Sequence, residues 1–286
     1  MVTNREAQTV LITGASAGIG KVTCLYLAEK GYNVIGTSRA SSRLGDLYSE
    51  ADQRGVTVHG LELDINSDAE VQRVMPKVFN QFGEIHALVN NAGYGLWGPL
   101  EIVSIDEMKT LFETNVFAVL RMTQVVLPAM IERRAGKIVN ISSVLGRLAT
   151  PFNGAYASSK YALEGLSESM NHEVSPFGVH VALVEPGLFE TEFQRSQVRA
   201  QRADDPNLAY APYVQRYNDR HQTFDKLASD PVKVAKVIHK IIRSRRPALR
   251  HPVGLESHAG IMGTRLLPGR LFQWMLGRAT LKQPVC

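Results

Sequence analysis

A chain of 286 residues with 44% hydrophobic and 21% charged side chains has ordinary globular composition, which excludes an intrinsically disordered or collagen-like chain. Residues 1–8 are polar and carry Arg5 and Glu6, and no run approaches the ~18 continuous apolar residues of a membrane span, so the expected compartment is the cytoplasm. Two cysteines, Cys24 and Cys286, are too few for a disulfide framework; the net charge of +5 is uneven, since eleven Lys and Arg against Glu256 alone put +10 after residue 230 and leave −5 before it.

Taken from the N-terminus, apolar β-rich runs at 9–13, 33–38, 56–63, 87–90, 137–141 and 180–184 alternate with segments of helical periodicity. Strands alternating with helices predict an α/β fold, a doubly wound parallel sheet of the Rossmann type with helices on both faces and right-handed crossovers. The runs are mostly apolar, as burial on both faces requires. The length suits a single domain spanning 1–286.

Directly after the first run comes Thr13-Gly14-Ala15-Ser16-Ala17-Gly18-Ile19-Gly20, opening a helix that carries Val22, Leu25 and Leu27. Glycines here let the backbone turn sharply and approach a pyrophosphate, while the helix start supplies free N–H groups and a partial positive charge. At the first strand-to-helix turn this spacing reads as a dinucleotide loop, with Gly14, Ser16, Gly18, Ile19 and Gly20 as expected cofactor contacts. The second run ends in Thr37-Ser38-Arg39, with Arg43 close behind, where NAD-binding proteins usually carry an acid for the ribose hydroxyl. A guanidinium matches a 2′-phosphate instead, so the expected cofactor is NADP(H).

Further along, Met108, Leu111, Phe112, Val119, Met122 and Val126 mark the apolar face of a long helix, and Asn115 falls within it. A buried amide without partners costs roughly 1–3 kcal/mol, so Asn115 belongs either to a polar network at a site or to a local backbone kink. The run 137–141 leads to Ser142 and Ser143 at a strand C-terminal end, where open α/β sheets form their ligand crevice. Ser143 is the better placed to orient a reacting oxygen, without excluding Ser142. Tyr156 and Lys160 stand four apart in a segment whose apolar positions Leu163, Leu166 and Met170 have helical spacing, so they share a helix face. An ammonium beside a phenol favours the phenolate, which would make Tyr156 a proton donor in one direction and an acceptor in the other.

The segment 188–230 breaks the alternation: it is polar, mixed in charge and dotted with Tyr210, Tyr213, Tyr217 and Phe224, as a substrate-binding lid would be. In the C-terminal extension 251–286, residues 264–282 place Leu266, Leu271, Trp274 and Met275 among arginines, predicting an amphipathic helix that starts near Pro268. It is expected to pack on its own domain or a second subunit, with a membrane surface as the alternative. No zinc, helix-turn-helix or RNA-recognition motif accompanies the basic residues, so neither a metal nor a nucleic acid is expected.

Together, TGxxxGxG at 13–20, Asn90-Asn91-Ala92-Gly93 as NNAG, and YxxxK at 156–160 closely resemble the short-chain dehydrogenases/reductases over roughly 9–191. The resemblance implies that Asn115, Ser143, Tyr156 and Lys160 form that family's catalytic tetrad, with Asn115 supporting a water-linked proton relay through Lys160. It also implies that Asp64 contacts the adenine, that Asn91 lies beside the cofactor, that Tyr156 and Lys160 contact the cofactor, with Lys160 holding the nicotinamide ribose, and that Pro186, Gly187 and Thr191 border the nicotinamide. Dimers or tetramers are implied as well. Residues 91–101 and 151–153 look like the hydroxysteroid and retinol dehydrogenase branch, in which Leu96, Trp97 and Phe152 would suit a bulky apolar ketone or alcohol. The expected activity is NADP(H)-dependent hydride transfer between an alcohol and a ketone. An NADP(H)-sensing regulator without chemistry is the alternative, though it has no need of Tyr156 and Lys160 together; a membrane-associated adaptor using the basic tail is another.

Overall fold

Residues 7–189, 197–216 and 229–281 are described by the structure, a computed structural model. The six predicted runs form strands β1 (Thr9–Ile12), β2 (Asn33–Ser38), β3 (His59–Glu62), β4 (Ala87–Asn90), β6 (Gly136–Ile141) and β7 (Val179–Pro186), joined by β5 (Leu96–Trp97), β8 (Val198–Arg199) and β9 (Arg250–Val253). The helices used below are α1 (Gly18–Glu29), α2 (Gly45–Gln53), α3 (Asp68–Phe82), α4 (Ile105–Phe112), α5 (Ala118–Glu132), α6 (Gly154–Val174), α7 (Val232–Arg243), α8 (Leu255–Leu266) and α9 (Gly269–Leu281). Seven strands make one wholly parallel sheet in the order β3-β2-β1-β4-β6-β7-β9. This is the doubly wound Rossmann arrangement.

Successive strand side chains point to opposite faces, and each face has its own core. Val10, Ile12, Val34, Val89 and Val139 join Cys24, Leu25 and Leu27 of α1 and Ile238 of α7 on one side. Leu11, Ile35, Leu88 and Ile138 join Val71 and Met75 of α3 and Met122, Val126 and Met130 of α5 on the other. Burying each such side chain contributes about 1.5–3 kcal/mol.

The short strands β5 and β8 lie outside the predicted runs, and two strands of the seven-stranded sheet, β3 and β9, also differ from the sequence expectation. The third begins at His59 rather than Val56, because Val56 N–H bonds Ala51 O in the turn closing α2 and the ladder to β2 starts only at Ile35 opposite His59. Strand β9 was not expected: Arg-His-Pro-Val shows no alternation, and its proline is tolerated because β9 is a sheet edge. The continuous helix 105–132 is long and apolar enough by composition to cross a membrane, but its Leu111, Met122, Val126 and Met130 are buried in the protein core.

Strand β1 lies between β2 and β4, so the winding direction reverses there. Ligand crevices of open α/β sheets form at the C-terminal strand ends beside that reversal. A smaller apolar cluster, formed by Leu96, Trp97, Ile102, Phe152, Ala200 and Val214 among others, supports the far wall of the crevice.

Candidate active site

The crevice floor is knitted by Thr13 and Asn91. Thr13 N–H donates to Val89 O at 3.0 Å, and its hydroxyl oxygen accepts from the N–H groups of Asn91 (3.0 Å) and Ala92 (3.1 Å). Asn91 Nδ2 donates to the carbonyls of Thr13 (2.9 Å) and Gly14 (3.0 Å). The Asn91 amide thus builds the loop as well as lining the cleft. Glycine is required twice here: Gly14 has φ +68° with Ala92 Cα 2.8 Å from where a Cβ would stand, and a Cβ on Gly20 would overlap the Gly14 carbonyl and lie 2.5 Å from Asn91 Nδ2.

Gly14, Ser16, Gly18 and Ile19 face a cleft of about 1260 Å³, whereas Gly20 packs beneath the loop. Pockets for one small ligand run to roughly 300–1,000 Å³, so a dinucleotide and a second molecule fit together. Arg39 and Arg43 line the cleft beyond β2, exposed and, among the described residues, without an ion-pair partner. Asp64 also lines it, with its Oδ1 accepting from Asn66 N–H at 3.0 Å. Pro186 and Gly187 border the cleft at the end of β7; Thr191 lies outside the described residues.

The chemistry-bearing side chains meet at the middle of the cleft. Tyr156 and Lys160, one turn apart on α6, are 7% and 5% exposed and line the cleft together with Ser143. The Ser143 hydroxyl hydrogen-bonds the Tyr156 phenol, whereas the buried Ser142 hydroxyl has no hydrogen-bond partner among the described residues. Lys160 Nζ donates to Ile141 O at 2.8 Å and stands 5.7 Å from the centre of the Tyr156 ring. Burial pushes the Tyr156 phenol up from its ordinary value, the Ser143 hydrogen bond opposing, and it pushes the Lys160 ammonium down to about 8, with the Glu164 carboxylate opposing. Burial favours the uncharged phenol, so Tyr156 rests in its neutral form.

Asn115 does not line the cleft. The helix changes there to a single π-helical turn, Glu113–Phe117. Asn115 Nδ2 donates to Tyr94 O (2.9 Å) and Ser159 Oγ (3.0 Å), and its Oδ1 accepts from Tyr94 N–H (3.1 Å). Asn115 thus sits in a local change of helix type and in a polar network that fastens the loop after β4 to α6.

Two aromatic expectations need correction. Trp97 and Phe152 do not wall the cleft: their rings lie 5.3 Å apart in the smaller apolar cluster, with the Arg199 guanidinium 4.3 Å from the Trp97 ring centre. The period-two alternation of β5 turns Leu96 to the cleft and Trp97 away from it. Segment 188–230 leaves and returns side by side, with Phe189 bridged to Ser229 and Ser229 N–H on Leu188 O (3.0 Å). Gln197, Val198 and Gln201 line the cleft mouth, Tyr210 and Tyr213 pack on the smaller cluster, and Tyr217 and Phe224 lie outside the described residues.

Two acids escaped the sequence reading. Glu164, 5% exposed, follows Lys160 by one turn and pairs with Arg250 at 2.9 Å; the four-residue spacing was the available signal. Glu256, in the first turn of α8, borders the cleft beside Gly187. No local pattern places it there.

Fold and crevice together define a Rossmann-type dinucleotide-binding protein with a protic group at its strand ends. Residues 8–202 match the short chain dehydrogenase family, and the chain belongs to that family of oxidoreductases, which use nicotinamide cofactors. Retinol dehydrogenase 8 of Bos taurus is 40% identical over 253 residues, covering 85% of this chain and 80% of that relative. A solved short-chain dehydrogenase from Streptomyces avermitilis superposes with a TM-score of 0.82 at 33% identity, covering 97% of this chain and 99% of that one. A metagenomic short-chain oxidoreductase in complex with NADP gives a TM-score of 0.66 at 26% identity, with 86% and 98% covered.

Proposed function

We propose that this protein is an NADP(H)-dependent oxidoreductase that interconverts an alcohol with a ketone or aldehyde on a bulky apolar substrate of retinoid- or steroid-like shape. The observation that carries the reading is the hydrogen bond between Ser143 and Tyr156 at the cleft, with Lys160 one helical turn away. The similarity to retinol dehydrogenase 8 supports the apolar substrate, and the similarity to an NADP complex supports the cofactor. The glycine-built loop fits a pyrophosphate, and the exposed guanidiniums of Arg39 and Arg43 at the cleft fit a 2′-phosphate through charge-assisted N–H donors.

When bound, the nicotinamide supplies or accepts the hydride. The residues of the chain manage the proton. Buried and neutral, the Tyr156 phenol donates its proton to a carbonyl oxygen in reduction and is left as the phenolate, and in oxidation the phenolate takes the proton that the alcohol loses. The Ser143 hydroxyl, bonded to the same phenol, orients that oxygen. Lys160 commits one of its three donors to Ile141 O, which leaves two that would hold the cofactor ribose and feed the proton path, with Asn115 fixing the loop beside it. Asp64, Asn91, Pro186 and Gly187 complete the cofactor walls, and Leu96, Phe189 and Val198 supply apolar surface.

The test is NADPH oxidation followed by absorbance on addition of a panel of apolar ketones and aldehydes, repeated with Tyr156→Phe. Turnover in the parent and loss of most of the rate in the variant are expected. Full rate in Tyr156→Phe, or no turnover of any compound with either nicotinamide, would overturn the reading.

A further inference from the structure

Helices α8 and α9 present apolar faces to solvent. On α8, Leu255, Ala259, Met262 and Leu266 recur at helical spacing and are all exposed, while Ser257 and Ile261 on the inner side are buried. On α9, Leu271, Trp274 and Met275 share one exposed face with Arg278, whose guanidinium lies 5.4 Å from the Trp274 ring centre. Phe272 points the other way, against Gly263 of α8. Six of the thirteen large apolar side chains that stand exposed among the described residues belong to these two short helices. Scattered exposed hydrophobics are ordinary, but an aligned concentration marks an interaction surface.

The charge pattern selects the partner. Apart from Glu256, which turns to the cleft, the ionised side chains of α8, α9 and their connection are Arg265, Arg270 and Arg278. A second copy of this surface would bring arginines against arginines. An anionic bilayer complements them, with arginines at the headgroups and tryptophan at the polar–apolar boundary. With 12 and 13 residues, the helices span roughly 18–20 Å each at 1.5 Å per residue, short of the ~30 Å hydrocarbon core, so they lie in the interface rather than cross it.

We propose that the outward faces of α8 and α9 seat the protein on the surface of an anionic lipid bilayer. The attachment is peripheral, held by apolar insertion and by arginine attraction that salt weakens.

The test is co-sedimentation of the full chain with vesicles of phosphatidylcholine containing phosphatidylglycerol, and with phosphatidylcholine alone. The only two tryptophans are Trp97, buried, and Trp274, exposed, so a blue shift of tryptophan emission on binding reports Trp274. Expected are binding to the anionic vesicles with a blue shift, at least tenfold weaker binding to the neutral ones, weakening by high salt, and loss of binding in a Leu271→Glu, Trp274→Gln, Met275→Glu variant. That variant should keep its melting temperature and NADPH binding. Failure of the full chain to bind anionic vesicles, or undiminished binding by the variant, would overturn the proposal. So would conversion of a dimer to a monomer by the variant without any vesicle binding by the parent, since that result assigns the face to a second copy.

Discussion

The two ends of the cleft are built in opposite ways. At the cofactor end, the loop between Gly14 and Ile19 makes the surface, and Thr13 and Asn91 lock it to the end of β4. At the substrate end, side chains arrive from distant segments: Leu96 on β5, Thr150 before α6, Phe189 after β7, Val198 on β8 and Glu256 on α8. A backbone surface is specified by where a Cβ is forbidden, which leaves a fixed spacing in the sequence. A side-chain wall needs only volume and polarity, so no spacing marks it.

Four variants probe this contrast, in order of decreasing effect. Tyr156→Phe removes the proton donor where the two ends meet, and its kcat should fall on the order of 10²–10⁴-fold with NADPH affinity nearly unchanged in a fluorescence titration. Concomitant loss of NADPH binding would instead assign Tyr156 to the cofactor end. Trp97→Ala empties the core behind the substrate wall and should lower stability by about 3–5 kcal/mol in a denaturant titration, whereas Leu96→Ala should chiefly raise KM for an apolar ketone. If Trp97→Ala changed KM without changing stability, the wall would have to be redrawn. Arg39→Asp should shift the NADPH:NADH ratio of kcat/KM by ~10–100-fold toward NADH, corresponding to the roughly 1.5–3 kcal/mol of a charged hydrogen bond. An unmoved ratio rejects the assignment of Arg39 to the 2′-phosphate.

The smallest effect is on pH dependence. Burial holds Lys160 at about 8, so raising the pH through that value removes its ammonium, and kcat/KM for NADPH should decline there. The Glu164 carboxylate favours the ammonium, so Glu164→Gln lowers this pKa further and moves the decline to more acidic pH, by less than about one unit or ~1.4 kcal/mol. A pH profile identical in both proteins would show that Glu164 serves packing alone.

Much of this was written in the residues themselves. Strands buried on both faces must be apolar along their length, so β1, β2, β4, β6 and β7 were legible from 9–13, 33–38, 87–90, 137–141 and 180–184. The loop 13–20 and the Tyr156–Lys160 pair were legible because each is local, fixed by one turn of backbone or helix. Three-dimensional packing decided the rest. It set Ser143 rather than Ser142 against the phenol, drew Trp97 and Phe152 away from the cleft, and added Arg250 of an edge strand to Glu164 of α6. It also set how deeply Tyr156 is buried: a sequence shows an ammonium four residues away, but the burial that raises the phenol belongs to the folded sheet and its helices. Periodicity and spacing are properties of a chain, whereas desolvation and long-range contact exist only once distant segments have excluded water together.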